Sequence, residues 1–388
     1  MAQRVRSNIH SFRNQENVRI GVKGVVMGAP PAATKRSVLG EIGNDFTACG
    51  VAAARKVGGE DVKLHGVPRK QKEEPLPVSK LIRNKSLLKK SFSTSSIPKE
   101  VANSNLIGVE DIDKDDKGDP VLVPEYVNDI YAYLREVEVK YPIKRNYLEG
   151  QEITSKMRGV LIDWLVEVHQ QFHLLTETLY LTVTIIDRYL QEVHTTTRKK
   201  LQLVGVAAMF LASKYEEMFA PEVGDFVYIC DNAYGKDELL RMEKTIVRTL
   251  DFSFSRPLPL HFLRRYSKAA RALPVNHAMA KYFLELSLVD YDMCHYDPSL
   301  ISAAALYLSL WLFSNEKKGV WTKTLVHYTK YSFRDIEDLV RKLANLVVKA
   351  DTSKNQAVNK KYAQSKFFKI SCKPELKSPA LKRLAASS

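Results

Sequence analysis

Four charged side chains stand where their neighbours are apolar, and charges in such places need partners. Arg158 interrupts Met157-Arg158-Gly159-Val160-Leu161-Ile162, and Asp187 interrupts Ile185-Ile186-Asp187-Arg188-Tyr189-Leu190. Lys214 closes a run of small and apolar residues, and Glu243 follows Leu240-Arg241-Met242. An uncompensated buried charge is strongly destabilising, so these placements predict two ion pairs, Arg158 with Asp187 and Lys214 with Glu243. Such pairs bridge a fold internally, and one member can still reach a partner protein. They break no bonds.

Residues that could break bonds are thinly placed. His169 and His173 are four apart, a metal-ligand spacing on a helix, yet no third ligand follows at helical spacing. Asp163/Glu167 and Glu216-Glu217 are carboxylate pairs with no polar, concave setting implied around them. The sequence has no GxxxxGK[ST] phosphate loop and no HExxH, and its cysteines at 49, 230, 294 and 372 form no CxxC or Cys/His cluster. The expectation is a binding scaffold with no catalytic residue, no metal and no cofactor, in a reducing, intracellular setting.

A third group lies near the N-terminus. Arg36, Leu39 and Asn44 place a cation, an apolar knob and an amide on one short stretch, Arg36-Ser37-Val38-Leu39-Gly40-Glu41-Ile42-Gly43-Asn44, a docking peptide or a chance pattern. Lysines follow at 56, 63, 70 and 72, open to modifying enzymes. Between Pro75 and Glu100, seven hydroxyl residues mix with Lys and Arg, so phosphates there would cancel the local positive charge; an unregulated linker is the other reading.

The 388 residues carry a net charge of +15, but residues 1–120 hold +7, residues 352–388 hold +8, and residues 121–351 net zero. A protein that follows a phosphate backbone concentrates its surplus on the folded part, so neither nucleic acid nor an anionic membrane is an expected partner. None of the 18 Tyr or 3 Trp precedes Tyr126. A segment so poor in aromatic residues buries too little to offset its ordering entropy, so residues 1–120 are expected to be a disordered tail ending at the acidic run Glu110–Asp119 and Pro120. No stretch of 18 apolar residues and no signal-peptide core is present.

From Pro124 onward the apolar residues recur at helical spacing. Helices are expected over 124–139, 154–171, 176–191, 198–215, 222–229, 236–250, 258–271, 275–290, 298–313, 321–328 and 332–349. Thr154, Thr176 and Asp297 are expected caps, the last ahead of Pro298. The helices at 157–168 and 201–212 are too apolar for a surface position. Gly205-Val-Ala-Ala-Met-Phe-Leu-Ala212 returns as Ser302-Ala-Ala-Ala-Leu-Tyr-Leu-Ser309 at an offset of 97, which predicts two related all-α domains divided at Asp251–Leu260.

The blocks MRGVLIDWLVEVH (157–169), LYLTVTIIDRYL (179–190), KLQLVGVAAMFLASKYEE (200–217) and RMEKTIVRTLDFSFSRPLPLHFLRRYSKAA (241–270) resemble mitotic cyclins of the B type. The resemblance covers about residues 124–350 and implies two tandem five-helix domains, an N-terminal cyclin box at 121–251 and a C-terminal cyclin-fold domain at 252–351. A regulatory tail (1–120) and a basic C-terminal tail (352–388), with Phe367-Phe368 as its candidate anchor, flank them. It further implies a non-catalytic subunit that activates a mitotic cyclin-dependent Ser/Thr kinase at the G2/M transition and helps recruit its substrates.

Carried over residue by residue, Lys214, Tyr215, Glu216 and Glu243 would face the kinase. Met157, Val160, Leu161, Trp164, Glu167, Leu201 and Gln202 would form a patch for Arg-x-Leu substrates, although apolar residues so spaced also fill cores. Arg158 and Asp187 match a family salt bridge. Gly159 replaces the commoner Ala, which costs about 1 kcal/mol of helix preference. Arg36–Asn44 resembles a destruction box read by the anaphase-promoting complex, leading to ubiquitination and mitotic exit. The 75–100 region resembles a cytoplasmic retention region, implying a protein that is cytoplasmic before mitosis and nuclear as mitosis begins. The rival readings, a two-repeat DNA-bound factor and an all-helical small-molecule enzyme, would need a basic face or a catalytic set.

Overall fold

The computed structural model describes residues 108–314 and 319–386. The Arg36–Asn44 segment, the lysines at 56–72 and the 75–100 region lie outside the described residues.

Every expected helix forms, with ends shifted by at most a few residues. In chain order they are α1 (Val127–Lys140), α2 (Ser155–Gln171), α3 (Thr176–Glu192), α4 (Arg198–Glu216), α5 (Val223–Ile229), α6 (Lys236–Thr249), α7 (Pro259–Ala269), α8 (Pro274–Val289), α9 (Pro298–Phe313), α10 (Lys323–Thr329) and α11 (Phe333–Ala350). Two more follow, α12 (Ala357–Tyr362) and α13 (Pro379–Ala386).

The repeated sequence marks the two centres. In α4 every residue from Leu201 to Ser213 is buried, and α3 and α6 pack on it. In α9 the matching run is buried from Ser302 to Leu306 and again at Leu308 and Ser309, and α7, α8 and α11 surround it. Small residues let the neighbours close in: a Cβ at Gly205 would stand 2.8 Å from Leu161 Cδ1. The two halves meet at Asp251 and Phe252, both at positive φ, in the turn that breaks α6 from α7.

Three expectations change. Helix α1, drawn with the first half, is tied to the second: Tyr131 donates to the His261 carbonyl at 2.8 Å, Arg135 to Tyr266 Oη at 2.8 Å, and Glu138 accepts from Ser299 N at 3.0 Å. The tail drawn to 120 also ends too late. Asp113 is clamped by both Arg265 terminal nitrogens at 2.5 and 2.6 Å and by Lys268 at 2.9 Å, so the acidic run is held by cations on α7 that lie some 150 residues away.

The 352–388 segment, set outside the second domain but with its order left open by the sequence, is the third case. Although strongly basic, its residues 352–386 are packed, with Val358, Tyr362, Ile370 and Leu381 in the core. Lys361 is 2% exposed and meets Glu285 at 2.7 Å, so this buried lysine has its counter-charge on α8. Phe367 packs on the core as its position suggested, with its ring 4.8 Å from that of Tyr362.

Candidate kinase and peptide interface

Helix α2 is capped by Thr154, whose hydroxyl accepts from Met157 N at 3.3 Å. One turn later Arg158 points into the protein and is fully buried. Its Nε and Nη2 donate to the two Asp187 oxygens at 2.7 and 2.8 Å, and its Nη1 donates to the Leu288 carbonyl at 3.0 Å. Tyr147 Oη donates to the same carboxylate at 2.7 Å. The expected pair exists, and it joins α2 and α3 to the end of α8, fixing the two halves together.

The second expected pair is at the surface. Lys214, at the end of α4, bonds to Glu243 on α6, and its ammonium lies 4.2 Å from the centre of the Phe210 ring. Beside it the surface is unusually apolar: Tyr215, Met218 and Phe219 are exposed, Phe219 to 85%. The Tyr215 ring meets Phe254 of the inter-domain turn at 6.2 Å. Glu216 is half-buried, and burial, followed by the carboxylates of Glu177 and Glu217, holds it above the usual carboxylate range. Glu217 turns away to bond Leu175 N at 2.7 Å and Thr178 Oγ1, capping α3 in place of the expected Thr176.

The seven patch residues divide by exposure. Glu167 is exposed, Val160 and Trp164 are half-buried, and Met157, Leu161, Leu201 and Gln202 are buried. Val160, Trp164 and Glu167 lie at i, i+4 and i+7 and form the accessible edge. Leu161, held against Gly205, and Leu201 are its floor.

The histidines do not share a face. His169 is buried, its Nε2 2.9 Å from the Leu175 carbonyl, while His173 lies beyond the helix end at positive φ and is exposed. Burial, with Lys361 nearby, pulls His169 down to about 3. Gly159 has a packing reason that the sequence concealed: a Cβ there would stand 3.2 Å from Asn355 Nδ2 and 3.3 Å from the Val289 carbonyl. Met218 and Phe219, which extend the exposed apolar surface beyond Tyr215, were not singled out in the sequence, although two large apolar residues just beyond a helix end signal it.

Residues 129–255 match the model of the cyclin N-terminal domain, and residues 257–376 match that of the cyclin C-terminal domain. The chain belongs to the cyclin family. The G2/mitotic-specific cyclin-B of Patella vulgata is 59% identical over 276 residues, covering 71% of this chain and 67% of that protein. That of Spisula solidissima is 59% identical over 283 residues, covering 73% of this chain and 65% of that protein. The G2/mitotic-specific cyclin-B1 of Xenopus laevis is 43% identical over 404 residues and covers 99% of both. A viral cyclin from herpesvirus saimiri, solved by X-ray, superposes with a TM-score of 0.50 at 24% identity over 55% of this chain and 95% of that one, a likeness of fold.

This cyclin is therefore of the B type: a regulatory, non-catalytic subunit that activates a cyclin-dependent kinase in G2/M control. The second domain reaches into the segment drawn as a C-terminal tail, as its match to residue 376 also indicates.

Proposed function

We propose that the end of α4 and the adjoining face of α6 receive the kinase, with Lys214, Tyr215, Glu216 and Glu243 in contact. The observation that carries this reading is the exposed Tyr215, Met218 and Phe219 beside an ion pair that needs no burial to exist. Contiguous exposed apolar surface of this kind marks a place where another protein sits. Arg158 and the α1 contacts tie the two halves together, so less binding energy is lost in ordering the cyclin. A ligand that prefers one conformation of its partner shifts the partner toward it; here the favoured kinase conformation brings its catalytic Lys and Glu together and opens its activation loop.

Along α2, Val160, Trp164 and Glu167, floored by Met157, Leu161, Leu201 and Gln202, form the docking groove for Arg-x-Leu substrates. The apolar edge takes the leucine and Glu167 the arginine. Arg36–Asn44 is the destruction box for the anaphase-promoting complex, and the 75–100 region keeps the protein cytoplasmic until mitosis begins, when it becomes nuclear.

Titrating purified kinase with wild type and with Lys214→Ala/Glu243→Ala tests the kinase face. The variant should need about tenfold more protein for half-activation, a loss of about 1.4 kcal/mol, with its circular dichroism unchanged. Superimposable titrations would place the kinase elsewhere.

A further inference from the structure

Residues 352–364 run along α2 in register. Asn355 lies against Gly159, Ala357 N donates to Asp163 Oδ1 at 2.9 Å, Lys360 Nζ stands 4.0 Å from Glu167 Oε1, and Gln364 donates to Gln170 Oε1 at 3.3 Å. The α2 residues met in this way, 159, 163, 167 and 170, form one helical stripe. Immediately beyond, Glu285 fixes the segment, accepting from Lys361 Nζ and Tyr362 Oη, each at 2.7 Å and buried. The backbone at Lys360 is thus anchored on both sides while its side chain remains 73% exposed.

Glu167 belongs to two stripes. It is the acid opposite Lys360, and it ends the Val160-Trp164-Glu167 edge of the groove. Any cation brought to the groove must meet it with Lys360 already there.

We infer that the C-terminal segment forms one wall of the peptide groove and that Lys360 is a specificity-determining residue, its ammonium competing with the arginine of a docking peptide for Glu167. This rests on the groove being the Arg-x-Leu site. Lys360 weakens cationic peptides through like-charge repulsion and by partly neutralising their acidic partner. The pair is wide and solvated, and exposed pairs of this kind add little to stability, so Lys360 can be changed without disturbing the fold.

The test uses the full chain bound to its kinase and a fluorescent Arg-x-Leu peptide. Lys360→Ala should bind about twofold to fivefold tighter, a gain of the size that one screened charge at the surface provides, and Lys360→Glu tighter still. Both gains should shrink at high salt and disappear for a peptide with citrulline in place of the arginine. Trp164→Ala separates the two assignments. If it abolishes binding while neither Lys360 variant changes affinity, Lys360 has no such role and the groove stands. If it leaves binding unchanged, the groove reading falls and the role of Lys360 with it. A gain that persists with the citrulline peptide would overturn the charge competition.

Discussion

Arg158 and Asp187 form a two-pronged pair, Nε to Oδ1 at 2.7 Å and Nη2 to Oδ2 at 2.8 Å, with neither residue more than 2% exposed. The third arginine nitrogen reaches the end of α8, so one side chain closes a bond network across both halves. Removing either partner leaves the other charge buried and unpaired. Arg158→Ala and Asp187→Ala should each cost about 3–5 kcal/mol, read from urea unfolding. Arg158→Lys should rescue little, because an ammonium cannot reproduce the fork.

Gly205→Ala should destabilise despite the better helix propensity of alanine. Its Cβ would lie 2.8 and 3.1 Å from the two Leu161 methyls, and overpacking of this kind costs about 1–3 kcal/mol. Leu161→Ala should cost about 2–5 kcal/mol as a cavity, and in that background Gly205→Ala should cost less. Equal penalties in both backgrounds, by thermal unfolding, would show that the two sites are uncoupled. Leu161 is consequently a poor probe of the proposed peptide docking, whereas the half-buried Trp164 is a better one.

Stability should fall with acid because of His169. Burial depresses its pKa to about 3, against about 6.5 in an unfolded chain. Between those values the unfolded state binds a proton that the native state refuses. The stability it contributes is complete above about pH 6.5 and is lost toward pH 3, at up to about 1.4 kcal/mol per pH unit. Asp163, pushed up to about 6 chiefly by burial, works in the opposite sense over part of this range. The contribution of His169 is therefore the difference in unfolding free energy between wild type and His169→Gln, which should move against wild type as pH falls from 6.5 to 4.5. Identical slopes would contradict it.

Changing Arg36 and Leu39 to alanine should leave kinase activation intact and lengthen the half-life of the protein in extract active for the anaphase-promoting complex. Lys56, Lys63, Lys70 and Lys72 should serve interchangeably as acceptors. Equal decay of wild type and double variant would reduce the Arg36–Asn44 segment to a chance pattern.

The proposed kinase face was half legible from sequence. Lys214 and Glu243 announced a pair because each is a charge beside apolar neighbours, but sequence alone could not say that this pair lies at the surface and the Arg158–Asp187 pair in the core. Exposure depends on what packs above a residue, and that is set by other helices.

The sequence by itself determined what depends on short range: helical spacing, the repeated small-residue core of α4 and α9, the breaks between helices and the Thr154 cap. It also placed Pro298 correctly at the start of α9. What only the tertiary structure decided are contacts between distant segments, for which local periodicity carries no signal. Carboxylates cap helices that they do not adjoin: Glu138 meets Ser299 N at the start of α9, Glu152 meets Arg198 N at the start of α4, and Asp163 meets Ala357 N at the start of α12. Asp113 and Lys361 likewise lie in strongly charged stretches that composition alone reads as solvated. Each is buried because its opposite charge, on α7 or α8, is brought to it by the fold, and a charge can leave water only where such a partner is waiting.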